Sequence, residues 1–186
     1  MLIISCNFVR EVDSSSDRDY LFFTNNASKV PSVYVEKLGK MGLEITEDKV
    51  VTAGDVCAEF LTENYPGARI YLNGTPLLYE NWKEKGLKLV EDDPDVAVQS
   101  FDTTMTYEKM DRICDFVRGG VPFIATHMDI NCPTEDGFMP DCGAMCSLIP
   151  ENELSRNADM SSSSRLSTPR VTRFPARSIP RGWTTS

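Results

Sequence analysis

Residues 125–149 read ATHMDINCPTEDGFMPDCGAMCSLI, and they begin where an apolar run, Val121–Ala125, ends. That run predicts a strand, and its end delivers the polar side chains of Thr126, His127 and Asp129. The residues that restrict the backbone after it are Pro133, Gly137, Pro140 and Gly143. Because proline and glycine fix turn geometry, they indicate a loop of defined path that carries polar groups.

Upstream of this loop, short apolar runs alternate with segments of helical periodicity. The predicted strands are a buried one at Tyr20–Phe23 that ends at Thr24, then Val50–Thr52, Arg69–Asn73, Leu87–Val90 and Val96–Phe101. Four helices are predicted. The first runs from Pro31 to Gly42, and the second has an apolar face of Val56, Cys57, Phe60 and Leu61 and ends at about Tyr65. The third runs from Thr75 to Lys85, and the fourth runs from an N-cap at Thr106 to Gly119. This alternation predicts an α/β fold with a largely parallel sheet.

The charge of the chain changes near residue 150. Residues 1–150 carry 13 basic and 25 acidic residues, whereas residues 151–186 carry six arginines and three acidic residues. An acidic body argues against a nucleic-acid surface, and no apolar run reaches the roughly 20 residues that a membrane span needs. Residues 150–186 are rich in Ser, Arg and Pro, offer little apolar surface to bury, and are predicted to be disordered.

A second polar strand end lies at FFTNNASK, residues 22–29. A hydroxyl and two amides follow an apolar strand there, and the chain then leads towards a helix. Thr24 can donate a hydrogen bond, and neighbouring backbone N–H groups can hold an anion. The alternative is a plain strand end with asparagines in a turn.

Together these segments resemble the haloacid dehalogenase superfamily, subfamily IIA, which contains the NagD-type and p-nitrophenylphosphatase-like phosphatases of sugar or nucleotide phosphates. FFTNNASK is similar to the second motif of that family. The segments GTPLL, FDTTMTYEKM and ATHMDINCPTEDGFMPDCGAM, at 74–78, 101–110 and 125–145, match its class-two cap in order and spacing. The resemblance implies a partial Rossmann-like core at residues 1–66, an α/β class-two cap domain at 67–149 and the tail at 150–186.

The same resemblance implies the chemistry of the site. In that family an Asp of a D-x-D-x-T motif attacks phosphorus, and a second Asp acts as acid and base, with Mg²⁺ as cofactor. Thr24 and Asn25 would bind the phosphoryl group. The residues implied near the rest of the substrate are Asn26, Asp129, Cys132 and Asp136. The implied partner is a small phosphorylated metabolite, with homo-oligomer formation through the cap as a further expectation.

Three catalytic features of that family do not occur in these 186 residues: the D-x-D-x-T motif, the Lys of a GKP-like segment, and the GDxxxxD motif that holds Mg²⁺. Asp17 and Asp19 have the D-x-D spacing, but Leu21 stands where the motif needs Thr, and a solvated turn is predicted there. The sequence therefore predicts a phosphatase-family chain truncated at both ends of the catalytic core, inactive alone and without tight Mg²⁺ binding. The alternative is a cap-only binding module without catalysis.

The cysteines leave two other kinds of site to consider. His127 with Cys132, Cys142 and Cys146 would give a zinc site, but the spacing contains no C-x-x-C pair, so no metal ligands are predicted. Cys142 and Cys146 are instead expected to pack at the start of a short helix. Cys132 with His127, the chain's one histidine, would give a nucleophile and base. Six cysteines without an export signal predict a cytoplasmic location.

Overall fold

The computed structural model describes residues 20–149, and the predictions for residues 1–19 and 150–186, including the disordered tail, lie outside this range. The strands are β1 (Phe22–Thr24), β2 (Val50–Thr52), β3 (Arg69–Asn73), β4 (Lys88–Leu89), β5 (Val96–Gln99), β6 (Phe123–Ala125), β7 (Asn131–Thr134) and β8 (Gly137–Pro140). The helices are α1 (Pro31–Lys40), α2 (Ala53–Asn64), α3 (Pro76–Glu84), α4 (Tyr107–Arg118) and α5 (Cys142–Cys146), with a 3₁₀ turn at Glu47–Lys49. The α/β prediction is confirmed.

The main sheet has four parallel strands in the order β4-β3-β5-β6. The chain leaves β3 towards one edge to form β4 and then returns past β3 to form β5, so the strand order reverses between β3 and β5. In open α/β sheets, ligands collect beyond the carboxyl ends of the strands near such a reversal. A separate parallel pair joins β1 to β2, with Thr24 opposite Thr52.

Helices cover both faces of the four-stranded sheet. On β3, Ile70 and Leu72 face α2 and α3, whereas Tyr71 points to the opposite face and packs with α4. This alternation follows from the two-residue period of a strand. The buried residues of α2 in the first cluster are Cys57, Ala58 and Leu61, so this helix shares a core with the sheet that begins at residue 69.

Side-chain caps explain where the helices begin. Thr52 and Asp55 form a reciprocal capping box at the start of α2. Thr75 accepts the N–H of Leu78, and Pro76 occupies the first turn of α3. The predicted N-cap at Thr106 is confirmed, since its hydroxyl accepts the N–H of Lys109.

Two predictions about burial are wrong. The strand at β1 is half-exposed rather than buried, and the Phe23 side chain is 72% exposed. Within the described residues β1 pairs with β2 only, so one of its edges has no strand beside it. Val56 was expected on the apolar face of α2 but is exposed. The helix begins at Ala53, so its buried face consists of Gly54, Cys57, Ala58 and Leu61, and Val56 lies outside that face.

The loop that follows β6 contains a structure that the sequence did not indicate. Strands β7 and β8 pair as an antiparallel hairpin, with Cys132 opposite Met139 and Thr134 opposite Gly137. Seven of its eight strand residues are exposed, so the two-residue apolar period that would predict a strand is missing. Among residues 20–149, no helix combines the length and apolar character that crossing a bilayer requires.

Candidate functional site

The end of β1 is a short turn held by its own side chains. The backbone N–H of Asn26 donates to Thr24 Oγ1 at 3.2 Å, and Asn26 Oδ1 accepts from both the N–H and the hydroxyl of Ser28, at 2.8 and 2.7 Å. Such Ser/Thr and Asx turns are the usual reason for these residue types after a strand. The Thr24 oxygen is the acceptor within this turn, so its hydroxyl proton is left for partners outside the turn.

This turn is fastened to the carboxyl edge of the four-stranded sheet. The Thr75 hydroxyl, just beyond β3, donates to the carbonyl of Ser28 at 3.0 Å, and the Ser100 hydroxyl, just beyond β5, donates to the carbonyl of Ala27 at 3.3 Å. Both bonds are buried, where an unsatisfied carbonyl is costly. The position of the turn is therefore set by two strands that lie far from it in sequence.

The loop after β6 reaches the same edge from the other side. The side-chain amide of Asn25 donates to Asp129 Oδ2 at 3.1 Å. The path of this loop depends on Gly143, whose N–H donates to the carbonyl of Asp129 at 2.8 Å. A Cβ at position 143 would overlap the carbonyl group of Met128, so only glycine fits there. The two polar strand ends singled out in the sequence thus form one site.

Behind Asp129 lies a buried histidine–carboxylate pair. His127 Nε2 is 2.8 Å from Asp141 Oδ1, and both side chains are less than a tenth exposed. The other ring nitrogen, Nδ1, is 3.1 Å from the Thr126 hydroxyl. Asp141 also caps α5, because its Oδ1 accepts the N–H of Cys142 at 2.7 Å. The pair therefore ties the start of the loop to its end.

Tyr34 lies beside Thr24, and Cys132 lies close to Tyr34. Burial raises the pKa of the Tyr34 phenol, an effect that its hydrogen bond with Thr24 partly offsets. Burial, followed by the nearby Asp141 carboxylate, raises the pKa of the Cys132 thiol, although Lys29 acts in the opposite direction. A raised thiol pKa disfavours the thiolate that a nucleophile needs. Cys132 is therefore a poor candidate for a nucleophile.

The other loop cysteines are confirmed as part of a short helix, α5, which begins at Cys142 and ends at Cys146. A hydrogen bond from the Cys146 thiol lowers the pKa of Cys142 to about 7, and the same bond raises the pKa of Cys146. Cys142 Sγ also donates to the carbonyl of Gln99 at 3.4 Å. Both thiols are buried against β5 and β6, which is a packing role rather than that of zinc ligands.

The segment FDTTMTYEKM, residues 101–110, supports the site through its hydrogen bonds and supplies no side chain to it. Asp102 is fully buried and accepts from Lys109 Nζ at 2.7 Å and from the Thr104 hydroxyl at 2.6 Å. Lys109 Nζ also donates to the carbonyl of Gly74 at 3.2 Å, which joins this segment to GTPLL. A buried carboxylate paired in this way fixes the chain beyond β3 and β5.

The structure brings most of the predicted site residues together. Thr24, Asn25 and Asn26 form the turn, Asp129 contacts it directly, and Cys132 lies within electrostatic reach of Asp129. Asp136 is exposed at the turn of the hairpin, and no hydrogen bond joins it to the other described site residues. Sequence reasoning missed the roles of Tyr34, Thr75, Ser100 and Asp141. Of these, Thr75 and Asp141 carry a sequence signal, because each stands as a possible N-cap before a helix.

Comparisons with known proteins agree with one another. A family model for haloacid dehalogenase-like hydrolases matches residues 7–88. The chain is 38% identical over 131 residues to an acid sugar phosphatase of Staphylococcus saprophyticus, covering 70% of this chain and 51% of that protein. It is 33% identical over 147 residues to the 5'-nucleotidase YutF of Bacillus subtilis, covering 78% and 56%. The chain thus spans about half the length of the curated relatives that it matches.

Solved structures give the same result. A 4-nitrophenylphosphatase from Thermotoga maritima superimposes with a TM-score of 0.75 at 32% identity, covering 87% of this chain and 67% of that one. A single-mutant thermostable NPPase from Geobacillus stearothermophilus gives a TM-score of 0.72 at 30% identity, covering 86% and 70%. Both likenesses extend over most of the described residues.

Proposed function

The chain belongs to the haloacid dehalogenase-like hydrolases, in the NagD-like subfamily IIA, and from that membership we propose that its site binds the phosphoryl group of a small phosphomonoester. The observation that carries the proposal is the meeting of the Thr24–Asn25 turn with Asp129 at one edge of the sheet. The family is one of phosphatases, and relatives of this chain include a sugar phosphatase and a nucleotidase. The proposed ligand class is therefore a sugar or nucleotide phosphate.

Each residue of the turn has a proposed role. The Thr24 oxygen already accepts the N–H of Asn26, and its proton is proposed to turn from the Tyr34 phenol to a phosphoryl oxygen. Asn25, which is exposed, offers its backbone N–H to the same group. Asn26 shapes the turn through Ser28 rather than contacting the phosphoryl group. A hydrogen bond to a charged group contributes about 1.5–3 kcal/mol, so Thr24 carries much of the selectivity for an anion.

The loop after β6 is proposed to contact the remainder of the substrate. The Asp129 carboxylate accepts hydrogen bonds from sugar hydroxyls, and the partly buried Cys132 gives that side of the site an apolar wall. Asp136, at the exposed hairpin turn, contacts only the distal part of a larger ligand. The exposed cation of Lys29, close enough to influence Cys132, adds favourable charge for a phosphate.

We propose further that these 186 residues alone do not turn over a substrate. They contain no D-x-D-x-T nucleophile, no GKP lysine and no GDxxxxD sequence. Enzymatic phosphomonoester hydrolysis requires accelerations of up to ~10²¹, and a hydroxyl with a positioned loop supplies only binding and orientation. The chain would then act as a non-catalytic binding module, which is the second candidate function.

Members of this family generally depend on Mg²⁺, and the described residues fit that ion poorly. Mg²⁺ prefers an octahedral shell of oxygen ligands. Within residues 20–149, the one group of three possible metal ligands, His127, Asp129 and Asp141, includes an imidazole. We therefore assign no Mg²⁺ ligands in this part of the chain, and no step of the proposed function passes through that ion.

Two assays test the proposal. Isothermal titration with inorganic phosphate and with a sugar phosphate should show saturable binding that Thr24→Ala weakens about tenfold or more. The matched control, Thr103→Ala, removes an exposed hydroxyl outside the site and should leave the affinity unchanged. Equal affinities for the two variants would refute the assignment of the phosphoryl site. Hydrolysis of p-nitrophenyl phosphate with Mg²⁺ that depends on Thr24 would refute the lack of turnover.

The remaining proposals concern organisation and setting. The division into a partial core at 1–66 and a cap at 67–149 remains a prediction, and the packing of α2 on the four-stranded sheet joins the two across that division. Assembly of copies through the cap and a cytoplasmic location likewise remain proposals. Limited proteolysis would test the division by showing whether cleavage concentrates near residue 66 or elsewhere.

A further inference from the structure

One cluster of ligand-bearing side chains lies next to the turn proposed to bind the phosphoryl group, and two of its three members, His127 and Asp141, have no role in that proposal. His127, Asp129 and Asp141 each offer an atom that lies within 4.8 Å of the atoms offered by the other two. We infer that these three residues bind a divalent first-row transition-metal ion, of the Mn²⁺ or Zn²⁺ type, beside the phosphoryl site. No metal ligands were predicted from the sequence, because only the folded loop brings the two aspartates close to His127.

The backbone holds the three residues together without a bound ion. The N–H of Gly143 donates to the carbonyl of Asp129 at 2.8 Å, and the N–H of Asp141 donates to the carbonyl of Ile130 at 2.9 Å. His127 directly follows the β6 end, where Thr126 N–H donates to the carbonyl of Gln99. A site whose ligands are already positioned loses less conformational entropy when the ion binds.

The surroundings of His127 suit a metal ligand. Thr126 Oγ1 lies 3.1 Å from Nδ1 and also 3.7 Å from Cys142 Sγ, to which it can donate its single proton. In the tautomer with the proton on Nδ1, that N–H donates to the threonine oxygen and the Nε2 lone pair faces Asp141 Oδ1, 2.8 Å away, where an ion would replace the Nε2–H that otherwise donates to this carboxylate. Holding the far nitrogen through a hydrogen bond is how proteins orient ligating histidines. Two facing acceptors of this kind are stabilised by a cation between them.

The distances and charges indicate the class of ion. Two ligand atoms at about 2.1 Å from a metal and at right angles to each other are roughly 3 Å apart, close to the 2.8 Å between Nε2 and Oδ1. A neutral imidazole and two carboxylates sum to two negative charges, which a divalent ion neutralises. Imidazole ligands favour transition metals over Mg²⁺ and Ca²⁺. Asp141 Oδ1 accepts the N–H of Cys142 with one lone pair, and its second lone pair can coordinate the ion.

The site opens towards the phosphoryl turn. His127 and Asp141 are almost wholly buried, whereas Asp129 is exposed and bonded to Asn25. The free coordination positions of the ion therefore face the Thr24–Asn25 turn, where water or a phosphate oxygen completes the shell. The metal site depends on the three side chains and not on phosphate binding, so the two assignments stand or fall separately.

The test is a titration of the full chain with Mn²⁺ alone, because Mn²⁺ binds carboxylate and imidazole and avoids the thiols that would capture Zn²⁺. Electron paramagnetic resonance of free Mn²⁺ gives the affinity. Since His127 is the chain's only histidine, the ring resonances of histidine-labelled protein report the location directly. Saturable binding with early paramagnetic broadening of those resonances is expected. Mn²⁺ binding that leaves the His127 ring sharp would place the ion elsewhere and overturn the assignment.

Variants distinguish binding at this site from nonspecific binding of Mn²⁺ to exposed carboxylates. Asp129→Asn and Asp141→Asn should each weaken Mn²⁺ binding roughly tenfold or more, and asparagine keeps the helix cap at position 141. Glu135→Gln removes an exposed carboxylate of the same loop and should change nothing. Thr24→Ala should leave Mn²⁺ binding intact even if it abolishes phosphate binding. If Asp129→Asn and Glu135→Gln bind Mn²⁺ equally, His127 and Asp141 form only a structural ion pair.

Discussion

The side-chain amide of Asn25 donates a hydrogen bond to Asp129 Oδ2 at 3.1 Å, across 104 positions of sequence. Asn25 belongs to the turn after β1, and Asp129 belongs to the loop after β6. Both residues are exposed, so the bond contributes little to folding. Its importance is positional, because it joins the turn proposed to bind the phosphoryl group to the loop after β6, which contains His127.

A double-mutant cycle on this pair should give a small but measurable coupling. Asn25→Ala, Asp129→Ala and the combined variant are compared by urea unfolding, and a coupling free energy of about 0.2–1 kcal/mol is expected for an exposed contact. The reference cycle combines Asn25→Ala with Asp136→Ala, which removes an exposed carboxylate at the hairpin turn. It should give no coupling free energy. A zero value for the Asp129 cycle would mean that the contact does not persist in solution.

Gly143 is expected to tolerate no side chain. A Cβ there would lie 2.7 Å from the carbonyl carbon of Met128 and 2.9 Å from the carbonyl oxygen of Asp129, both of which are backbone atoms that cannot turn aside. Gly143→Ala should therefore lower the free energy of unfolding by about 1–3 kcal/mol. Gly39→Ala is the matched control, because its Cβ would meet nothing within 4 Å inside α1. It should stabilise the chain by about 0.5–1 kcal/mol, and thermal unfolding measures both.

Trp82 separates the contribution of apolar volume from that of a buried donor. The side chain is fully buried between α3 and the sheet, and its Nε1–H has no hydrogen-bond partner among residues 20–149. Trp82→Ala should cost about 3–5 kcal/mol through the cavity that it leaves. Trp82→Phe removes the unpaired N–H together with part of the volume. Because the buried donor no longer lacks a partner, this substitution should lower the free energy of unfolding by less than about 2 kcal/mol. A cost for Trp82→Phe well above about 2 kcal/mol in chemical denaturation would show that the indole N–H is satisfied in solution.

Stability should fall as the pH rises above about 8.5, partly because of Cys57. Complete burial raises the pKa of this thiol far above its ordinary value, so the folded chain keeps a proton that the unfolded chain loses. The stabilisation is complete below the pKa of the unfolded thiol and is lost progressively above it, by about 2 kcal/mol at pH 10.

Cys57→Ala tests that dependence. The variant should be less stable at pH 7 because of its cavity, but it should lose less stability than the wild type between pH 7 and pH 10. Urea midpoints under a reducing agent give the comparison. An unchanged pH slope in the variant would assign the alkaline loss to other groups, such as the buried thiol of Cys146 or the Tyr71 phenol, whose pKa is raised to about 12.

Local signals were sufficient for most of the secondary structure. Two helix starts are marked by Thr75 with Pro76 and by Thr106. Each threonine caps a backbone N–H three residues later in the chain, so no tertiary information is needed to predict the start. The hairpin β7–β8 was missed because its side chains face solvent and carry no periodic pattern. Phe23 was misjudged because an apolar side chain in a strand does not reveal whether a neighbour covers it.

The sequence by itself determined the α/β class, the order of the elements and the two polar strand ends, because each depends on contacts between residues close in the chain. Only the tertiary structure decided that these ends meet. The Asn25–Asp129 bond, the hydrogen bonds from Thr75 and Ser100 to the turn, and the approach of Asp141 to His127 join residues 14 to 104 positions apart. The physical reason is that β3, β5 and β6 end at one edge of their parallel sheet, and buried hydrogen bonds from that edge hold the turn after β1 against it.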